Sequence, residues 1–138
     1  MKRLLLLCTL VGCARPAPVL PDAPQWQNAI LASGVEVQWG YSGSDFVETS
    51  PWKEVTGAEL ETLRKVFATP VAAGQLKCLV HIDGRLRAGG TKIKVCLGCG
   101  QLFADQNEYH FGGKDELRAV MTKVLGAQPP EPNTFPGY

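Results

Sequence analysis

Residues 84–96, GRLRAGGTKIKVC, decide how this chain folds. On either side of Gly89-Gly90, apolar and basic side chains alternate. Alternation with period two marks a strand that buries one face. Paired glycines accept the positive φ that a two-residue hairpin turn requires at both central positions. The register follows directly. Leu86 faces Ile93 on the core side, while Arg85 faces Lys94 and Arg87 faces Lys92 on the other. Like charges directly opposite one another are destabilising, so four in one patch require a cause. One cause is a solvated strand face. The other is an anion-binding site made of Arg85, Arg87, Lys92 and Lys94, suited to lipid headgroups, a cell-wall polymer or an acidic protein face.

Further strands flank this hairpin. VEVQWGY (35–41) places Val35, Val37, Trp39 and Tyr41 on one face, and after a turn at SGS, Phe46 and Val47 begin a second short strand. A strand is expected over Leu76–Ile82 and another over Glu108–Phe111. Two segments have helical period instead. In TGAELETLRKVFAT (56–69), Thr56 and Glu59 form a capping-box pattern, Leu60, Leu63, Val66 and Phe67 share a face, and Pro70 follows the end. In KDELRAVMTKVLG (114–126), Leu117, Val120, Met121, Val124 and Leu125 make the apolar stripe and Gly126 stops it. These stripes predict core packing. The expected fold is α+β, an antiparallel sheet of about four to six strands covered by two amphipathic helices. The chain has 45% hydrophobic residues, enough for one core over residues 25–126. The segment 127–138, with Pro129, Pro130, Pro132 and Pro136, is expected to form an irregular tail.

The same hairpin leads into KVCLGCG (94–100), where Cys96 and Cys99 stand two residues apart. Together with Cys78 and His81 they give two x2-spaced pairs with 14 residues between the halves, the composition of a structural zinc site. Strand parity opposes that grouping, because residues three apart on a regular strand point to opposite faces. A disulfide from Cys78 to Cys96 or Cys99 is the competing use. A redox dithiol is the third, although the pair follows a strand and lacks the helix N-terminus that lowers a thiol pKa. GYSGSD lacks the spacing of a nucleophile elbow, and His110 is distant in sequence from every cysteine.

The first residues, MKRLLLLCTLVGC, combine Lys2 and Arg3 with an apolar run from Leu4 to Val11 that is too short to span a bilayer. Leu10-Val11-Gly12-Cys13 resembles the lipobox of bacterial lipoproteins. The resemblance implies a signal peptide over 1–12, lipidation of Cys13, and attachment to a membrane through several acyl chains, which hold far better than one. Ala14 in place of an aspartate implies the outer membrane in a Gram-negative cell. Residues 13–24 contain Pro16, Pro18, Pro21 and Pro24 and are expected to form an extended tether. Removing residues 1–12 takes Lys2 and Arg3 from 14 basic residues and leaves 13 acids, a net charge of about −1, so no global attraction to nucleic acid follows. From Leu76 to Leu125, a lysine-cysteine strand, a strand ending in CxxC and a closing helix resemble small bacterial CxxC proteins of unknown role, which implies no activity. The expected function is a lipid-anchored binding or assembly module of the cell envelope, its partner an envelope protein or anionic polymer. The alternative is an extracytoplasmic thiol-disulfide enzyme using Cys96 and Cys99.

Overall fold

Gly89 and Gly90 adopt φ of 55° and 80°, and the strands they join pair Arg85 with Lys94, Leu86 with Ile93 and Arg87 with Lys92. This is the register read from the sequence. The computed structural model describes residues 20–42, 46–69, 71–74 and 81–130. Among them the protein is α+β, with eight strands in antiparallel pairing and three helices. The elements run α1 (Gln25–Ala32), β1 (Val35–Ser42), β2 (Phe46–Glu48), β3 (Lys53–Val55), α2 (Gly57–Val66), β4 (Ala72–Ala73), β5 (Gly84–Ala88), β6 (Thr91–Cys96), β7 (Gln101–Ala104), β8 (Asn107–His110) and α3 (Lys114–Leu125).

The spatial order is β2-β1-β5-β6-β7-β8-β4, with β3 also paired to β1. Val35 to Val37 pair with β3, and Gly40 to Ser42 pair with β2. Ser50 bridges the gap between these two pairings: its hydroxyl accepts from the Trp39 amide at 2.8 Å and its carbonyl accepts from Gln38 Nε2 at 3.0 Å. Backbone groups left without a strand partner are thereby satisfied.

Val35, Val37, Trp39 and Tyr41 are buried, as their alternation predicts. Val35, Val37 and Trp39 form one core with Leu86, Ile93, Val95 and Leu102 of the sheet and with Trp26, Ile30, Leu63, Phe67, Leu117, Val120 and Met121 of the helices. All three helices therefore cover the same sheet face. No helix among the described residues is long and apolar enough to cross a membrane.

The sequence expectation of four to six strands and two helices is too low, and each omission has a physical reason. Helix α1 starts at Pro24 without a side-chain cap and has no acid in its first turn or base in its last, so it lacks terminal signals. Tertiary contacts hold it instead. Trp26 meets Phe67 and Tyr109 edge-on at centroid distances of 6.0 and 5.2 Å. The β7–β8 hairpin turns on Asp105 and Gln106 at φ of 50° and 65°. This is the glycine-type turn without its glycines, hence its weak signature. Strands β3 and β4 are too short for alternation to register.

Leu20–Pro24, assigned from sequence to the tether, turn and dock on α1. Leu20 and Asn28 exchange two hydrogen bonds, of 2.9 and 3.1 Å. At the other end, Trp39 Nε1 donates to Gly126 O at 3.0 Å, Gln128 Nε2 donates to Asp83 Oδ1 at 3.4 Å, and the Tyr41 hydroxyl donates to Pro129 O. The start of the tail is thus attached. The signal segment, Cys13, the first part of the tether, most of the strand expected over Leu76–Ile82, and residues 131–138 lie outside the described residues.

Candidate functional site

Two features remain to be placed: the cysteine turn and the sheet face opposite the helices. The turn joins β6 to β7, with Cys96 paired to Gln101. Gly100, at φ 69°, donates its amide to Cys96 O at 3.1 Å and accepts from the Phe111 amide at 3.0 Å. A side chain at Gly100 would also place its Cβ 2.9 Å from Phe111 O. The Leu97 amide donates to Asp83 Oδ2 at 2.7 Å, and Lys114 Nζ donates to Gly98 O at 2.8 Å. The loop is therefore fixed at several backbone groups by residues from three other parts of the chain.

Within this loop, Cys96 Sγ lies 2.9 Å from Cys99 Sγ. The separation is informative. A disulfide has an S–S bond of about 2.05 Å. Two thiolates on one tetrahedral zinc, each at about 2.3 Å, would stand about 3.7 Å apart. The observed distance lies between these values. Cys96 is 2% exposed, whereas Cys99 is partly exposed. Cys99 Sγ donates to Gln101 Oε1 at 3.7 Å, and Gln101 Nε2 continues to Glu108 Oε2 at 3.2 Å.

His81 does not join this pair. Its ring packs against Tyr41 at a centroid distance of 5.7 Å. Among the described residues no three His, Cys, Asp or Glu side chains converge as a metal site would require. The zinc set expected from sequence also needs Cys78, which lies outside the described residues. His110 pairs in register with Gln101, and its Nε2 lies 2.6 Å from Gly74 O, at the sheet edge. Asp83, Gln101 and Lys114 were missed by sequence reasoning. Only the Asp83-Gly84 step carried a turn signal, and nothing tied it to Leu97.

On the uncovered face, Gln38, Arg85, Lys94 and Phe103 lie in one cross-strand row, and Glu36, Arg87 and Lys92 in the next. The basic patch therefore forms, but its two arginines are engaged within the fold. Arg85 is 9% exposed; it donates to Gln38 Oε1 from Nε at 3.1 Å and from Nη2 at 2.6 Å, and Nη2 also meets Glu48 Oε1 at 2.9 Å. Its guanidinium lies 3.9 Å from the Phe46 ring centroid and 5.1 Å from that of Trp52. Arg87 pairs with Glu36 and stacks on Trp52 at 4.4 Å. The acids and rings answer the charge crowding posed by the sequence, since opposite charge and aromatic faces both stabilise a guanidinium. Lys92 and Lys94 remain exposed and take part in no ion pair among the described residues.

Comparison of the chain with known protein families, with curated proteins and with solved structures returned no match.

Proposed function

We propose that this chain is a lipid-anchored protein of the bacterial cell envelope whose domain acts as a binding or assembly module. The anchor is Cys13 of the lipobox Leu10-Val11-Gly12-Cys13. The observation that carries the binding reading is the one-sided sheet. The three described helices pack on one face, and the other presents Lys92 and Lys94 beside arginines that stack on aromatic rings. An anionic envelope partner, a cell-wall polymer or an acidic protein face, suits two exposed ammonium groups. Tethering raises the local concentration, so weak attraction suffices. Arg85 and Arg87 stand opposite these lysines on the neighbouring strand, each held by an acid of the same sheet face.

Two measurements test the two halves of this reading. Palmitate incorporation should disappear in Cys13→Ser, and label retained in that variant would remove the anchor. The unlipidated Cys13→Ser chain should sediment with isolated cell wall at low salt and release as salt rises, because exposed charges are screened over about 8 Å at physiological ionic strength. Adding Lys92→Glu and Lys94→Glu should abolish that retention. Equal retention with and without the charge reversals would reduce the patch to a solvated strand face.

The 2.9 Å approach of Cys96 and Cys99 favours a second reading, thiol–disulfide exchange with an envelope partner. It requires activity toward an external disulfide, so insulin reduction by the protein, lost in Cys99→Ser without loss of stability, would select it over the binding module.

A further inference from the structure

We infer that Cys96 and Cys99 are a modification site: they form a disulfide with each other, within the β6–β7 turn, and Cys99 is the thiol that reacts first. The inference rests on the envelope reading for the presence of an oxidant, but the chemistry belongs to the turn itself. From sequence, a structural zinc site, a disulfide from Cys78 to Cys96 or Cys99, and a redox dithiol were three uses of these cysteines. The geometry of the turn supports pairing Cys96 with Cys99, whose sulfurs lie 2.9 Å apart.

Four hydrogen bonds hold the loop in the closed form: Gly100 to Cys96, Phe111 to Gly100, Leu97 to Asp83 and Lys114 to Gly98. A preorganised pair reacts as an intramolecular nucleophile and target, with most of the entropy of approach already lost. Bond formation requires the sulfurs to close by less than an ångström, to about 2.05 Å.

Exposure sets the order of events. Cys96 is 2% exposed and cannot meet a bulky oxidant, whereas Cys99 is partly exposed. The Cys99 thiolate attacks one sulfur of a protein or small-molecule disulfide. That S–S bond breaks, one oxidant sulfur leaves as a thiolate, and the other is held by Cys99 as a mixed disulfide. The Cys96 thiolate then attacks the Cys99 sulfur, the mixed bond breaks, and the second oxidant thiolate leaves. Cys96 and Cys99 together lose two electrons and two protons, and the oxidant disulfide is reduced to two thiols. Buried Cys96 needs no access, because its target is already in contact.

Oxidised glutathione is a suitable probe, applied to the purified full-length chain and followed by alkylation and tryptic peptide mapping without reduction. Cleavage after Lys77, Arg85, Lys94 and Lys114 separates Cys78 on peptide 78–85 from both other cysteines on peptide 95–114. The expected product is peptide 95–114 alone, unalkylated and two hydrogens lighter than its dithiol. In Cys96→Ser the glutathione adduct should accumulate on Cys99, at least about tenfold faster than any adduct on Cys96 in Cys99→Ser. A cross-link between peptides 78–85 and 95–114, zinc retained by both thiols in the isolated protein, or equal adduct rates in the two variants would each overturn the inference. Palmitate labelling does not depend on these results, so a failure here is distinguishable from a failure of the envelope reading.

Discussion

Gln38 and Arg85 face each other across β1 and β5, and one amide oxygen, Gln38 Oε1, accepts from both Nε and Nη2 of the guanidinium. The geometry needs the planar fork of an arginine. Lysine would bring one point donor and leave the buried Gln38 oxygen with a poorer bond. Arg85→Lys should therefore lower unfolding stability by about 1.5–3 kcal/mol, as for a charge-assisted bond to a buried acceptor. Little of this lies with Glu48, whose side chain is 61% exposed and screened by water. Urea denaturation of the two proteins measures the difference. Lys94→Ala, on the same row but exposed, should change stability by less than about 0.5 kcal/mol.

Gly40 and Phe46 form a second dependent pair. A Cβ at Gly40 would enter the Phe46 ring and come 2.6 Å from Val47 O. The absent side chain is what lets the ring lie against the strand and beneath Arg85. Gly40→Ala should cost about 1–3 kcal/mol through this overpacking. Part of the loss should be recovered in a Gly40→Ala, Phe46→Ala double variant, because the two changes share one contact and cannot add. A double-mutant cycle with no coupling would show that the Val47 carbonyl alone sets the cost.

The cysteine pair should stabilise modestly. Chain-entropy arguments give about 2 kcal/mol for closing a four-residue ring, against about 3 kcal/mol for a ring reaching back to Cys78. Complete reduction should lower the wild-type unfolding free energy by the smaller amount, and Cys96→Ser should match the reduced protein. A larger loss on reduction would indicate the longer ring. Thermal unfolding with and without reductant, at fixed pH, separates the two.

How much of this was legible beforehand depends on where the information resides. The hairpin at Gly89-Gly90, the alternation through Trp39 and the stripe through Leu117 and Met121 are local patterns, and the structure repeats them. Helix α1 is held by Trp26 against Phe67 and Tyr109, residues 41 and 83 positions away, which no window of local sequence contains. The capping box was half right. Helix α2 starts after Thr56, yet the Thr56 side chain makes no capping bond. At the candidate sites, the sequence located the cysteines and the four cations. It could not pair Arg87 with Glu36, place Arg85 over Phe46, or connect Asp83 to Leu97, because each contact crosses between elements. The fate of the charges, rather than their positions, was the hidden part.

Glu59 provides a test by pH. Its carboxyl is held below the usual value of 4.5, first by a hydrogen bond from its own backbone amide and then by Lys123, whose Nζ lies 3.2 Å away on α3. Its place in the first turn of α2 favours the charged form for the same reason. A carboxyl with a depressed folded pKa binds its proton more weakly in the folded chain than in the unfolded one. The unfolded state therefore takes up the proton first as acid is added, and folding loses the contribution. That contribution is fully present above about 4.5 and fades as pH falls through the lower folded value. Glu59→Gln should be less stable than wild type at neutral pH, and the gap should close in acid well below 4.5. Added salt at neutral pH should narrow the gap but not close it, because the Lys123 pair is screened while the backbone hydrogen bond is not. Urea melts of both proteins across this range measure the effect. A gap that persists unchanged into acid would show that Glu59 supports the α2–α3 contact through packing rather than charge.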